Sequence, residues 1–161
     1  MAFHTSDLSD ALEDRVHILV PMLHDFGGVS RFNGPISTVK CFEDNSLVGA
    51  ALEEPGQGRV LVIDGGGSLR CALLGDRLAA LGAHNGWSGI LVYGCIRDSE
   101  AIAHTSIGVK AMATHPRKSV KRGVGERDLP VHFGGITFTP GHFVYADPDG
   151  VLVSEIAVSL D

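Results

Sequence analysis

Two unbroken apolar runs, Arg59-Val60-Leu61-Val62-Ile63-Asp64 and Gly89-Ile90-Leu91-Val92-Tyr93-Gly94, constrain this chain most strongly. A strand with one wet face alternates apolar and polar residues, so a continuous run reads as a strand buried on both faces. Between the runs, Asp76-Arg77-Leu78-Ala79-Ala80-Leu81-Gly82-Ala83 is rich in helix formers, with Leu78 and Leu81 on one face. Strand, helix, strand in that order predicts a parallel pair joined by a right-handed crossover, the core of an α/β fold. Upstream, Thr5-Ser6-Asp7-Leu8-Ser9-Asp10-Ala11-Leu12 offers hydroxyl and carboxylate caps ahead of helix-compatible residues and predicts a short helix. After Lys110 the texture changes to short β-prone runs around Val131, Ile136 to Phe138, Phe143 to Tyr145 and Val151 to Val153. Asp147-Pro148-Asp149-Gly150 is a turn signal between the last two, so this part is expected to form a meander. No linker, repeat or low-complexity tract interrupts the 161 residues. One domain over 1–161 is expected, long enough to bury roughly two thirds of its unfolded surface.

Composition excludes several functions. No apolar run reaches 18 residues and no basic, apolar leader opens the chain, so the expectation is a soluble, cytoplasmic protein without a membrane span. Cys41, Cys71 and Cys95 are odd in number and lack C-x-x-C spacing, which points to buried reduced thiols and away from disulfides or a thiolate zinc site. A net charge of -6 gives no general attraction to phosphate backbones. The one basic cluster, Arg117-Lys118-Ser119-Val120-Lys121-Arg122, is short, and direct nucleic-acid binding is not expected. Asp64-Gly65-Gly66-Gly67-Ser68 follows a strand but lacks the Gly-Lys-[Ser/Thr] of a phosphate loop, and Arg70 stands where G-x-G-x-x-G needs its third glycine. Tight turning explains it better. The eight histidines show no ligand spacing such as H-E-x-x-H.

The chemistry-bearing candidates lie at strand ends. Gly75 precedes the predicted helix, and Arg97-Asp98 follows the second buried strand. In open α/β sheets that edge is the usual ligand crevice, and the free N–H groups of a first helical turn bind carboxylate or phosphate. The backbone of Gly75, Asp76, Arg77 and Leu78 is therefore a candidate anion cradle, which Arg97 would close with a two-pronged hydrogen bond. Asp98 offers a hard oxygen ligand for Mg²⁺ or Mn²⁺, ions that keep several waters and need one or two carboxylates, and Asp76 can orient one of those waters. A plainer alternative stands beside this: both aspartates sit where helix caps are common, and Arg97 suits a surface ion pair.

The pattern Gly75-Asp76, twenty intervening residues, then Arg97-Asp98 resembles the motif of the class II pyruvate aldolases related to the regulator of ribonuclease activity A. The stretches "TSDLSDAL", "TVKCFEDN", "VLVIDGGGSLRCALLGD", "GILVYGCIRD", "PRKSVKRGVGE" and "GGITFTPGHFVYADPDGVLVSE" are similar to the same family and cover most of the chain. The resemblance implies a swivelling β/β/α sandwich, assembled as a homotrimer with sites between subunits. It implies cleavage of 4-hydroxy-4-methyl-2-oxoglutarate, with oxaloacetate decarboxylation as a side reaction. Both reactions leave a pyruvate enolate, whose charge a divalent ion stabilises by polarising the keto oxygen. By resemblance Asp98 binds the metal, Arg97 and the Gly75 to Leu78 backbone bind the pyruvyl part of a small 2-keto acid, and Asp76 holds a metal-bound water that moves the proton of the substrate hydroxyl. A Schiff-base route needs a buried lysine of lowered pKa, and three of the four lysines, Lys40, Lys110, Lys118 and Lys121, fall in polar or basic surroundings. The longer aldolases of the family add a C-terminal acidic residue that reaches a neighbour's site, an extension this sequence, ending at Asp161, does not show. The ribonuclease regulator, a protein-binding module of the same fold, lacks the full acidic motif. Asp76 together with Asp98 thus favours an enzyme, with ribonuclease binding as the alternative.

Overall fold

The computed structural model describes residues 2–159. Its α-helices are α1 (Thr5–Leu12), α2 (Ser46–Glu53), α3 (Asp76–His84) and α4 (Ser99–Ile102). The strands of the first half are β1 (Val16–Ile18), β2 (His24–Asp25), β3 (Phe32–Lys40), β4 (Val60–Asp64), β5 (Ala72–Leu74) and β6 (Gly89–Ile96). Those of the second half are β7 (Gly108–Thr114), β8 (Glu126–Arg127), β9 (Val131–Phe133), β10 (Ile136–Phe138), β11 (Phe143–Asp147) and β12 (Gly150–Ser154).

The apolar runs are central strands because both of their faces are covered. β3, β4, β6 and β7 pair in parallel, in that order. Leu61 and Ile63 of β4 face a cluster with Val48, Ala51 and Leu52 of α2, Ala79 of α3 and Ile102 of α4. Val60 and Val62 of the same strand face Val131, Phe133, Phe138, Val144 and Val151 from the later strands. Period-2 alternation therefore sends one residue to a helical layer and the next to a β layer, giving the β/β/α order. The layers are joined by β3, whose first half pairs antiparallel with β11 and whose second half pairs with β4. At the start of the parallel sheet, Gly89 and Gly108 are direct register partners, and a methyl group on either would overlap the Phe32 ring.

The strand order β1-β12-β11-β3-β4-β6-β7-β2 places the first two strands of the chain at opposite ends of the path. Only residues 19–23 connect them, a reach of about 21 Å at full extension. Eight strands laid flat at about 4.8 Å spacing would set those edges about 34 Å apart. The path must therefore curl until its ends approach.

Several expectations need correction. β6 continues to Ile96, beyond the run that ends at Gly94, and pairs there with β5, which the sequence reading does not contain. The change of texture falls after Thr114 and not after Lys110, because β7 runs on as a fourth parallel strand. The expected meander is two hairpins: β9 with β10 forms a separate small sheet, while β11 with β12, joined through Asp147 and Gly150, extends the main one. α1 forms where its composition predicts, but Thr5 directs its hydroxyl to Asp147 at 2.6 Å, and no side chain caps the helix.

Candidate active site

α3 begins directly after β5, so its first turn opens at the carboxyl edge of the sheet, and Arg97-Asp98 leave β6 at the same edge. Asp98 adopts φ 57°, the left-handed region that aspartate tolerates better than most residues. It precedes α4 but makes no cap there. Its Oδ2 instead accepts the backbone N–H of Asp76 at 3.0 Å, capping α3 from across the cleft. A Cβ at residue 75 would stand 2.9 Å from that oxygen and 3.6 Å from Arg97 Nε, so glycine is what lets both side chains approach. The Asp76 N–H holds the Asp98 carboxyl below the usual carboxylate range; a small loss of hydration opposes this, and the Asp76 side chain and the Arg97 charge reinforce it.

The four residues Gly75 to Leu78 line a single cleft of about 910 Å³ together with Arg97 and Asp98. The structure thus brings together all six residues selected from the sequence. One role changes: Asp76 spends its N–H on Asp98, leaving those of Arg77 and Leu78 in the first turn for a ligand. Arg97 is half-buried, and among the described residues its guanidinium makes no hydrogen bond or ion pair. The capping alternative is half right, since Asp98 does cap a helix, though not its own.

The opposite wall is the part that sequence reasoning missed. Lys118 to Lys121, from the short basic cluster, line the cleft, with Asn45 between the two sides. Their loop carries no helix and is pinned by its backbone. Arg117 O accepts the N–H of Ala72 at 2.8 Å, and the Ser119 hydroxyl donates to Asn45 Oδ1 at 2.8 Å. Asp44, 1% exposed, accepts the N–H groups of Arg122 and Val124 at 2.8 and 3.1 Å on Oδ2, and the N–H and hydroxyl of Ser46 at 2.9 and 2.6 Å on Oδ1. Burial by itself would raise the Asp44 pKa; the Ser46 hydroxyl and the three N–H donors outweigh it and hold the carboxyl far below its ordinary value. The only sequence signal was Asp44-Asn45-Ser46, which reads as a local Asx turn before α2 and says nothing of a loop some eighty residues later.

The rest of the chain narrows the chemistry. Among the described residues no group of three or more His, Cys, Asp or Glu is arranged to hold a metal ion. The adjacent carboxylates of Asp76 and Asp98, both exposed, instead form the sparse oxygen donor set that suits a hard, largely hydrated cation. Cys41, Cys71 and Cys95 are free and buried, and burial pushes the Cys41 thiol up to about 12. Lys110 is buried against Asp25 at 3.1 Å and does not line the cleft. Gly66 and Gly67, at φ 68° and 71°, make the tight turn their sequence predicts and lie outside the cleft. Among the described residues no helix is long and apolar enough to cross a membrane.

The cleft of this β/β/α sheet protein gathers, at its strand ends, an open first helical turn, an arginine without an ion partner among the described residues and two neighbouring carboxylates. The chain belongs to the RraA-like family, whose model, described as aldolase/RraA, matches residues 5–153. A protein of Aromatoleum aromaticum, provisionally named 4-hydroxy-4-methyl-2-oxoglutarate aldolase, is 62% identical over 155 residues, covering 96% of this chain and 98% of its own. One of Laribacter hongkongensis with the same provisional name is 61% identical over 154 residues, covering 96% and 97%. Among solved structures, the RNA-processing inhibitor RraA from Thermus thermophilis superposes with a TM-score of 0.95 at 45% identity, over 99% of this chain and 97% of that one. A Geobacillus kaustophilus protein described as an S-adenosylmethionine:2-dimethylmenaquinone methyltransferase also reaches 0.95, at 47% identity over 97% of each chain. The names differ while the folds coincide, so the choice among activities falls to the cleft.

Proposed function

We propose that this chain is a divalent-metal-dependent lyase that cleaves 4-hydroxy-4-methyl-2-oxoglutarate to pyruvate by retro-aldol chemistry and decarboxylates oxaloacetate as a side reaction. The observation that carries the reading is the unpaired Arg97 guanidinium beside Asp98 and the open first turn of α3, in one cleft. The substrate's 1-carboxylate and 2-keto group are two adjacent oxygen-bearing carbons. The N–H groups of Arg77 and Leu78 and the planar fork of Arg97 suit that carboxylate. Lys118 and Lys121 line the same cleft and would meet a second carboxylate. Asp98, with Asp76 beside it, would hold Mg²⁺ or Mn²⁺, which when bound polarises the keto oxygen and offsets the charge that develops on it.

In the aldol, the C3–C4 bond breaks, its electron pair passes to C3 and C2 as the enolate, and the C4 hydroxyl becomes the keto group of a second pyruvate. The hydroxyl proton must leave, and the Asp76 carboxylate takes it through one water. Protonation of C3 then releases the first pyruvate. In oxaloacetate the same bond breaks, carbon dioxide departs with no hydroxyl proton to remove, and the same enolate remains. Three buried, reduced thiols suit the reducing cytoplasm as the place of action.

The test is pyruvate release from each substrate, followed with a coupled dehydrogenase. EDTA should stop it and Mg²⁺ or Mn²⁺ restore it, since an ion with so few protein ligands exchanges readily. Undiminished turnover after exhaustive chelation would remove the metal from the reaction. A chain that releases no pyruvate from either compound would leave ribonuclease binding as the better reading; the Thermus neighbour is described as an RNA-processing inhibitor.

A further inference from the structure

Asp44 takes no part in the chemistry above, yet its carboxylate is fully engaged. Two of its four donors belong to its own turn, and the other two are the N–H groups of Arg122 and Val124, 78 and 80 residues further on. Its neighbours do the same. Asn45 accepts the Ser119 hydroxyl, and the Ser46 hydroxyl accepts the N–H of Gly123 at 3.2 Å. Three consecutive residues thus grip the loop at 119, 122, 123 and 124, on both sides of Lys121. Every residue from Val120 to Gly125 is exposed, and none lies in a helix or strand, so packing contributes little to where the loop sits. Its hydrogen bonds fix it. The loop also carries Arg117, Lys118, Lys121 and Arg122, cations that repel one another, so its hydrogen bonds must hold it against that repulsion. An asparagine has one acceptor oxygen where the carboxylate has two, so it would present an N–H₂ group to donors on one side.

We propose that Asp44 is a positioning residue: by fixing the 119–124 backbone it places Lys118 and Lys121 to read the second carboxylate of the substrate, so the cleft prefers dicarboxylic over monocarboxylic 2-oxo acids of equal length. This rests on the cleft being a 2-oxo acid site, as proposed above. Asp44 touches no substrate, and its effect is felt only at the end of the ligand that meets the lysine wall. The end held by Arg97 and α3 is set by β5 and β6, which meet the loop only upstream of Lys121, through Ala72 N–H to Arg117 O and Asn45 Nδ2 to Leu73 O.

Calorimetric titration in Mg²⁺ buffer separates the two ends with three probes. Oxalate mimics the enolate end and is too short to span the cleft; 2-oxoglutarate and 2-oxopentanoate share a five-carbon chain and differ in the second carboxylate. The wild-type chain should prefer 2-oxoglutarate over 2-oxopentanoate by about tenfold or more, as expected of a charge-assisted contact. Replacing Lys118 and Lys121 together by alanine should erase that preference. Asp44→Asn should cut it by about tenfold while oxalate and 2-oxopentanoate bind within about twofold of wild type. Ser46→Ala, a milder loss in the same grip, should move the ratio in the same direction and decides the matter if Asp44→Asn does not fold. An Asp44 that served stability alone would lower the melting temperature and leave the ratio untouched, and an unchanged ratio in a folded variant overturns the proposal. So does a wild-type chain with no preference, whatever its turnover. A chain that shows the preference but releases no pyruvate would instead remove the lyase reading and leave Asp44 in this role.

Discussion

A single missing methyl group sets the geometry of the cleft. Gly75 has an extended backbone, φ -121° and ψ -173°, which any residue adopts, so the case for glycine there is contact and not strain. Gly75→Ala puts a carbon 2.9 Å from Asp98 Oδ2 and must push that carboxylate away. Turnover should fall by about 10²-fold, the scale of a 1 Å misplacement, and the melting temperature by no more than Asp98→Ala lowers it, since the displaced carboxylate is also the α3 cap. Asp98→Ala should abolish pyruvate release and, because it uncaps α3, also cost about 1 kcal/mol in a denaturant titration. A destabilised but fully active Asp98→Ala protein would reduce that residue to a cap. Arg97→Lys keeps the charge but loses the fork, so oxaloacetate binding should weaken by about 1.5 to 3 kcal/mol. These residues were legible in the sequence because each is local: a glycine before a helix, and an Arg-Asp pair after a buried strand. Asp44 and Ser119 were not, since their partners lie 74 to 80 residues away and no periodicity joins them.

Among elements, uniform runs announced themselves and mixed ones did not: the nine-residue β3, interrupted by Gly34 and Pro35, and the eight-residue α2 went unread. β4, β6 and α3 follow from runs of residue types, whereas β5 has three residues beside a glycine turn, too few to show a period. α1 was legible as a helix but not in how it is held. Its first residue binds the turn between β11 and β12: Asp147 accepts the Thr5 N–H at 2.7 Å, the Thr5 hydroxyl at 2.6 Å and the Asp149 N–H at 3.0 Å. Burial would raise the Asp147 pKa, but these donors, with Arg31 nearby, hold it below its ordinary value. A depressed native pKa contributes stability that is present above the unfolded value and is lost as pH falls through the native one. The melting temperature, followed by circular dichroism, should therefore drop below about pH 4, near the unfolded aspartate value. In Asp147→Asn that drop should be shallower, from a lower starting point at neutral pH. An identical slope would show that Asp147 carries none of the acid sensitivity.

At the scale of the whole molecule, the parallel core could be read from two apolar runs, but the curl of the sheet could not, because Val16 finds its partner at Ser154. Phe42, Leu69, Val120 and Val124 are all more than half exposed, and Val120 lines the cleft. Apolar surface beside a charged site suits a neighbouring subunit better than water. If the chain forms the trimer that the resemblance implies, light scattering should report about three times 17.0 kDa, and an active monomer would rule out a site shared between subunits. The curl of the sheet bears on how the chain is made as well as on its shape. The pairing of β1 with β12 joins an early segment to one of the last, so the strand that leaves the ribosome among the first has no neighbour until β12 emerges. At about 5–20 residues per second, the roughly 140 residues between them take about 7 to 28 s, during which an unpaired β-edge is open to other nascent chains.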